Sequence, residues 1–395
     1  MKEWLKEKEG LLFKIAYSSF YTAVIIEVMM VIIDKSAYTN PIEGRLFQLT
    51  FLLCLIKVCL TKYSKREYVA IILFCVLGAV SYFVTERNEI IRLVMFVAAC
   101  KGIDMKKCMT LVFRLTLIGC LVIILLSVTG IYGAVSLTQD YGRGGVETRY
   151  TLGMGHPNAL QCMVWALTTL GLYLYGNRMK WYHYLGVVVL SLVTFSISDS
   201  RTSLLVTAFA IVMTFLSSGR KPEFIKKTAA WAGVGAFLCS IGISVSIAIN
   251  AYRVHDFVWH ALCDPTTMKF VHLNDFLNGR IRILTETENW AGTIGSWSLF
   301  SKPENVHFFD MGWIRLFYWY GIIPACIFIT IIFIMMIYCY QKKDYPAIAL
   351  IAAFATYSII EAHAVSEYLA RNYVFFLIGM YWHQMLYWGK EAGKQ

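Results

Sequence analysis

Long apolar runs, separated by short clusters of charged and turn-forming residues, recur along almost the whole chain. A run of about 17 to 25 apolar residues crosses a hydrocarbon core of roughly 30 Å as a helix. Twelve crossings are predicted, at 11–33, 45–61, 68–84, 88–100, 109–130, 158–176, 183–198, 202–218, 228–250, 312–340, 346–362 and 371–388. The fourth is short and the tenth long. The runs lack the alternation of a membrane barrel, so the expected class is an all-α polytopic membrane protein. It forms one integral membrane domain over 1–395, with a large extracytoplasmic loop at 251–311. The first run is too long for a signal-peptide core and has no small-residue cleavage site, so it reads as a retained helix.

Composition agrees with the pattern. Of 395 residues, 58% are hydrophobic and only 15% charged, far too apolar for a soluble chain of this length. Alternate loops carry the basic residues, among them Lys62, Lys65, Arg66, Lys101, Lys106 and Lys107, while acidic residues favour the opposite set. Cytoplasmic loops are the basic ones, so both termini are expected in the cytoplasm. The net charge of +11 then reports orientation, and a nucleic-acid partner is not expected. The cysteines show no disulfide framework or metal spacing.

This topology gathers three polar features on the outer face: the loop 133–158, the turn "SISDSRTSLL" at 196–205, and the loop 251–311. Helices starting near 157 and 202 point their N-termini outward, where free N–H groups and the helix dipole favour an anion. Arg143, Arg149, His156 and Arg201 add positive or potentially positive charge there. Pro157 suits a first helical turn, and Ser200 or Asp199 is placed to cap the next helix. A glycine-rich loop with arginines opening onto a helix start suggests a phosphate or diphosphate site. The plainer alternatives are a turn at Pro157 and an Arg201 that pairs with Asp199 or reaches for the interface. Arg280 and Arg282 would diverge on a helix and share a face on an extended stretch. His255, His260, His272 and His307 are dispersed, so no metal is expected. Asp310 stands just before a helix start near Gly312, with Arg315 in its first turn, and a carboxylate or histidine there can activate a hydroxyl. Within the apolar runs, Lys57 and Arg114 lie near the cytoplasmic end. Glu27 and Arg92 either pair with each other or line a cavity.

Four stretches in order across roughly 140–325 resemble the O-antigen ligase and polymerase superfamily, in particular its Wzy-like polymerases of lipid-linked repeat units. They are "RYTLGMGHPNAL", "SDSRTSLL", "NGRIRIL" and "FFDMGWIRLFYWYGII". The chain departs from the family pattern at Met311, often Asn there, and at Trp313, usually Tyr. The resemblance implies a GT-C-like fold in a bacterial cell membrane and a glycosyltransferase that needs neither a metal nor another cofactor. Its donor and acceptor would be oligosaccharides on undecaprenyl diphosphate, met in the membrane lipid, and its protein partners a chain-length regulator and a flippase. It implies Arg149 and Arg201 as diphosphate ligands, His156 as an orienting group, Arg280 closing from the large loop, and Asp310 or His307 as base. Arg143, Asn158, Asp199, Arg282 and Arg315 would complete the substrate site. The same donor chemistry would serve a ligase that moves finished glycan to a lipid, protein or wall acceptor. A lipid-linked oligosaccharide flippase is the alternative from another class, although it would need charges along a whole transmembrane path and paired halves.

Overall fold

In the computed structural model, which describes residues 2–140, 145–219, 221–260, 263–286 and 290–388 and the side chains of these except 2–9 and 140, every one of the twelve apolar runs contains helix. The first nine runs form α1 (Lys2–Lys35), α2 (Glu43–Cys59), α3 (Lys65–Thr85), α4 (Glu89–Ala99), α5 (Met105–Val128), α6 (Pro157–Tyr175), α7 (Trp181–Ser198), α8 (Arg201–Ser217) and α9 (Glu223–His260). The large loop adds α10 (Pro265–Phe276) and α11 (Arg280–Glu286). Beyond it come α12 (Gly312–Tyr320), α13 (Ile322–Gln341), α14 (Tyr345–Tyr357) and α15 (Tyr373–Met385). Among the described residues the chain is nearly all-α, and β1 (Ser136–Asp140) pairs antiparallel with β2 (Val146–Tyr150) in the loop before α6.

Among the described residues seven helices, α1, α3, α5, α6, α7, α9 and α13, are long and apolar enough to cross a membrane, so length and composition support seven of the twelve expected crossings. Large apolar side chains stand exposed along α3 and α5, such as Ile72, Leu73, Ile118 and Leu125. A surface of that kind is stable only against apolar surroundings. The fold is that of a polytopic membrane protein.

Three boundaries differ from those expected. The tenth run is two helices, because Gly321 breaks it at φ +93°, a conformation closed to most side chains. A Cβ there would lie 2.6 Å from Phe300 Cα, so the large loop packs against the break itself. Second, α14 stops at Tyr357 and α15 starts at Tyr373, leaving 358–372 as an irregular connection. Its residues Ile359, Ile360 and Ala362 fall within the expected crossing at 346–362, but they belong to this largely buried connection. Third, α9 runs on to His260, so the large loop begins as helix. Its 38 residues reach about 57 Å at 1.5 Å per residue.

At the centre lies α14, buried at nearly every position and packed by α6, α8, α9, α13 and α15. Alanines at 347, 349, 352, 353 and 355 allow this close approach, since small residues bring helix backbones together where lipid gives no hydrophobic drive.

Glu27 and Arg92 are partners. Arg92 Nη2 lies 3.1 Å from Glu27 Oε1, and both side chains are almost fully buried. Thr50 Oγ1 donates to the same oxygen at 2.8 Å, and the Leu369 amide donates to Oε2 at 3.0 Å. The Phe47 ring covers the guanidinium at 3.8 Å. Removing one member of a buried pair strands the other charge, at a cost of about 3–5 kcal/mol. Glu27→Ala is therefore expected to lower the melting temperature of the detergent-purified protein sharply, and the Glu27→Ala/Arg92→Ala double variant to melt above it. Equal melting of Glu27→Ala and wild type would show that the pair does not hold these segments together.

Candidate functional site

The connection 358–372 meets the ends of α1, α6 and α12 at one end of the bundle. Ser36 bridges to Met154, and the Gly155 amide donates to the Lys35 carbonyl at 3.0 Å, which brings the end of α1 beside the start of α6. His156 caps α6 in an extended conformation, its Nδ1 accepting from the Asn158 amide at 3.1 Å, with Pro157 at the first helical position. Gly312 starts α12 against the connection, and a Cβ on it would meet the Glu361 carbonyl at 2.6 Å. Asn372 caps α15 through Oδ1 while its Nδ2 donates to the His363 carbonyl at 2.9 Å. The buried His363 ring packs between Trp165 and Tyr357.

These segments enclose a polar cavity of about 410 Å³. Lys35, Arg315 and Arg371 bring positive charge to its wall, Asp34, Glu43, Asp310, Glu361 and Glu367 bring carboxylates, with Lys35 held by Asp34 at 2.8 Å, and His156 and Asn158 line it from the start of α6. Arg315 is only 2% exposed and its guanidinium lies between the rings of Phe308 and Trp319, at 3.8 and 4.5 Å. Its Nε and Nη2 and the Nε of Arg371 are buried without a hydrogen-bond partner. Buried donors left in that state favour an anion strongly. Arg280, at the start of α11, stands behind the wall and reaches Glu361 at 3.2 Å and Asp310 at 3.5 Å through Nη2. Burial pushes the Glu361 carboxyl up, and the Asp310 charge adds to this against the opposing pull of Arg280 and Arg371. A carboxyl so placed holds its proton more tightly than an exposed one and stands where it can exchange it with a neighbouring hydroxyl.

A second polar cluster flanks the cavity. In β2, Glu147 and Arg149 share a face, and Arg149 is bound by Glu147 at 2.6 Å and by Asp199 at 3.5 Å. Asp199 ends α7 in a left-handed conformation, and Ser200, at the N-cap of α8, makes no side-chain cap. Arg201 is 69% exposed and lies 4.0 Å from Asp199.

Of the residues singled out in sequence, the structure brings His156, Asn158, Asp310 and Arg315 to one cavity and sets Arg280 behind it. Arg149, Asp199 and Arg201 stand together but are not among the lining residues. Arg280 and Arg282 lie on a helix and diverge: Arg282 turns away, 52% exposed, to Glu286 at 2.8 Å. His307 contributes its carbonyl, which accepts from Trp319 Nε1 at 3.1 Å, and its side chain does not line the cavity. Arg143 lies outside the described residues. Lys35, Glu361, Glu367 and Arg371 were not anticipated. The signal that could have found them is ionisable residues at the ends of apolar runs, where each is costly unless it is used.

Burial holds the His156 imidazole below its ordinary range, with Arg149 and Arg280 acting in the same direction and Asp310 against them. The neutral ring is also the form that can cap α6. Its contribution to stability is therefore complete above the ordinary value of about 6.5 and is lost as pH falls through the lower folded value. His156→Asn keeps a capping acceptor, so its melting temperature is expected to fall less than that of wild type between about pH 7.5 and about pH 5. Parallel falls in the two proteins would separate His156 from the pH response. In comparisons with known proteins, no family model, no curated protein and no solved structure matches the chain.

Proposed function

We propose that the chain is a membrane glycosyltransferase that polymerises undecaprenyl-diphosphate-linked oligosaccharide repeat units at the outer face of a bacterial cell membrane. The reading rests on one observation: the polar cavity shares Val365 and Ser366 with an apolar groove of about 380 Å³. The groove runs between α3, α4, α13 and α15, past Phe74, Leu93, Val97, Phe328, Ile331 and Ile378. From Pro324 to Met335 it follows α13 for roughly 17 Å at 1.5 Å per residue. A charged cavity joined to a long apolar groove suits an amphiphile with an anionic head and a polyprenyl tail. The sequence resemblance supplies the reaction class.

In this reading the GT-C-like bundle holds the donor tail in the groove and its diphosphate against Arg315 and Arg371, with Lys35 alongside. The acceptor hydroxyl oxygen attacks the anomeric carbon of the donor sugar. The bond from that carbon to the diphosphate oxygen breaks, and undecaprenyl diphosphate leaves with the electron pair. Fixed guanidinium groups in a dry site stabilise the negative charge that develops on the leaving group. The hydroxyl proton passes to the Asp310–Glu361 carboxyl pair, which Arg280 holds in place. His156 and Asn158 orient the head group, while Arg149, Asp199 and Arg201 flank the site where the acceptor glycan enters. Both termini then lie in the cytoplasm, and a flippase and a chain-length regulator act before and during polymerisation.

Cells lacking the protein are expected to accumulate single repeat units on the lipid carrier at the outer face. Full-length polymer on the carrier would instead make the protein a ligase, and units held at the cytoplasmic face would make it a transporter. With purified lipid-linked repeat units, Arg315→Lys is expected to slow polymer formation at least about tenfold, because an ammonium lacks the planar fork that grips phosphate oxygens. Arg201→Ala is expected to stay within about twofold, as exposed charges contribute little. Full activity in Arg315→Lys would remove Arg315 from the diphosphate site.

A further inference from the structure

Outside the cavity, the end of α9 carries a second set of chemically capable side chains. His255, Asp256 and His260 each offer one donor atom, and these atoms all lie within 4.8 Å of one another. Asp256 and His260, four apart, share a helix face, whereas His255 is turned about 100° from Asp256, so the spacing shows only part of the group. Here His255 and Asp256 are partly buried and His260 is exposed.

We propose that His255, Asp256 and His260 bind a first-row divalent cation of the zinc class at the C-terminal end of α9. Two imidazoles and one carboxylate form a borderline nitrogen and oxygen set, which suits zinc better than calcium or magnesium. In a tetrahedral site, donors at about 2.1 Å from zinc stand roughly 3.4 Å apart. Side-chain rotations of about 1 Å therefore close the observed cluster around one ion.

Three further observations point the same way. His255 Nδ1 is buried without a hydrogen-bond partner, 3.5 Å from Asp256 Oδ1, and so is available as a donor atom. The Trp290 ring packs on the His255 imidazole at 4.8 Å and fixes its plane, as groups around a metal site commonly do. The neighbouring cation Arg253 is already drawn to Asp264, at 3.7 Å, and that carboxylate also caps α10. A cation at this place also faces the negative end of the helix dipole.

The ion would fasten the last turn of α9 beneath Trp290, beside α11, whose first residue is Arg280. Its role is to brace the large loop, with three protein ligands and the fourth position open to water. The proposal is independent of the glycosyl-transfer reading.

The test is zinc binding by the untagged, detergent-purified full chain, in competition with a chromophoric chelator. Wild type is expected to retain about one zinc per chain. His255→Gln and His260→Gln are each expected to weaken binding at least about tenfold, with unchanged helical circular dichroism. His272→Gln serves as the control and is expected to bind as wild type does. Binding should also weaken in acid, because protons compete with the metal for its ligands. No retained zinc in wild type, or equal affinity in wild type and both histidine variants, would overturn the site.

Discussion

Inside α1, the Glu27 carboxylate accepts hydrogen bonds from Thr50 of α2, Arg92 of α4 and the Leu369 amide of the connection before α15. In an apolar interior none of these groups has water to turn to, so each depends on the others. The connection is thereby tied at its far end to three helices that precede it by hundreds of residues. At its near end, the Glu361 carbonyl lies against Gly312 of α12. The polar cavity depends on this anchoring, since Glu361, Glu367 and Arg371 all come from the stretch held between the two ends.

Much of the frame was legible in the sequence because it follows from local rules. Pro157 starts α6, Gly312 starts α12, and the pairing of Glu27 with Arg92 was one of two alternatives for charges that apolar surroundings cannot leave alone. The grouping of loops by charge also placed the end of α1, the start of α6 and the start of α12 on one side, and these meet in the cavity. What local rules could not reveal was where helices stop. Glu361 and Arg371 fell at the edges of two apolar runs, whose hydropathy carried the eleventh crossing on to 362, past the end of α14 at Tyr357. Only the packing of His363 between Trp165 and Tyr357 and the Asn372 cap turn the connection into an ordered loop. Arg280 and Arg282 depended in the same way on a helix too short for periodicity to detect.

The cavity wall interleaves positive and negative side chains instead of presenting a purely basic surface. Arg280 spends its charge on Asp310 and Glu361, whereas Arg315 and Arg371 keep buried N–H groups unengaged. Two chemistries therefore stand side by side: a place where an anion is favoured and a carboxyl, Glu361, whose proton affinity burial raises. Group transfer from an anionic carrier to a hydroxyl needs both within one substrate's reach.

The burial of α14 bears on how the chain is made. At 13 residues it measures about 20 Å, less than a hydrocarbon core, and its faces meet α6, α8, α9, α13 and α15 rather than lipid. A segment of this kind leaves the ribosome when four of those five neighbours have already been synthesised, and it enters a slot they have formed. Its integration is an assembly step, so a fault in α6 or α9 can surface as a failure to insert a helix translated much later.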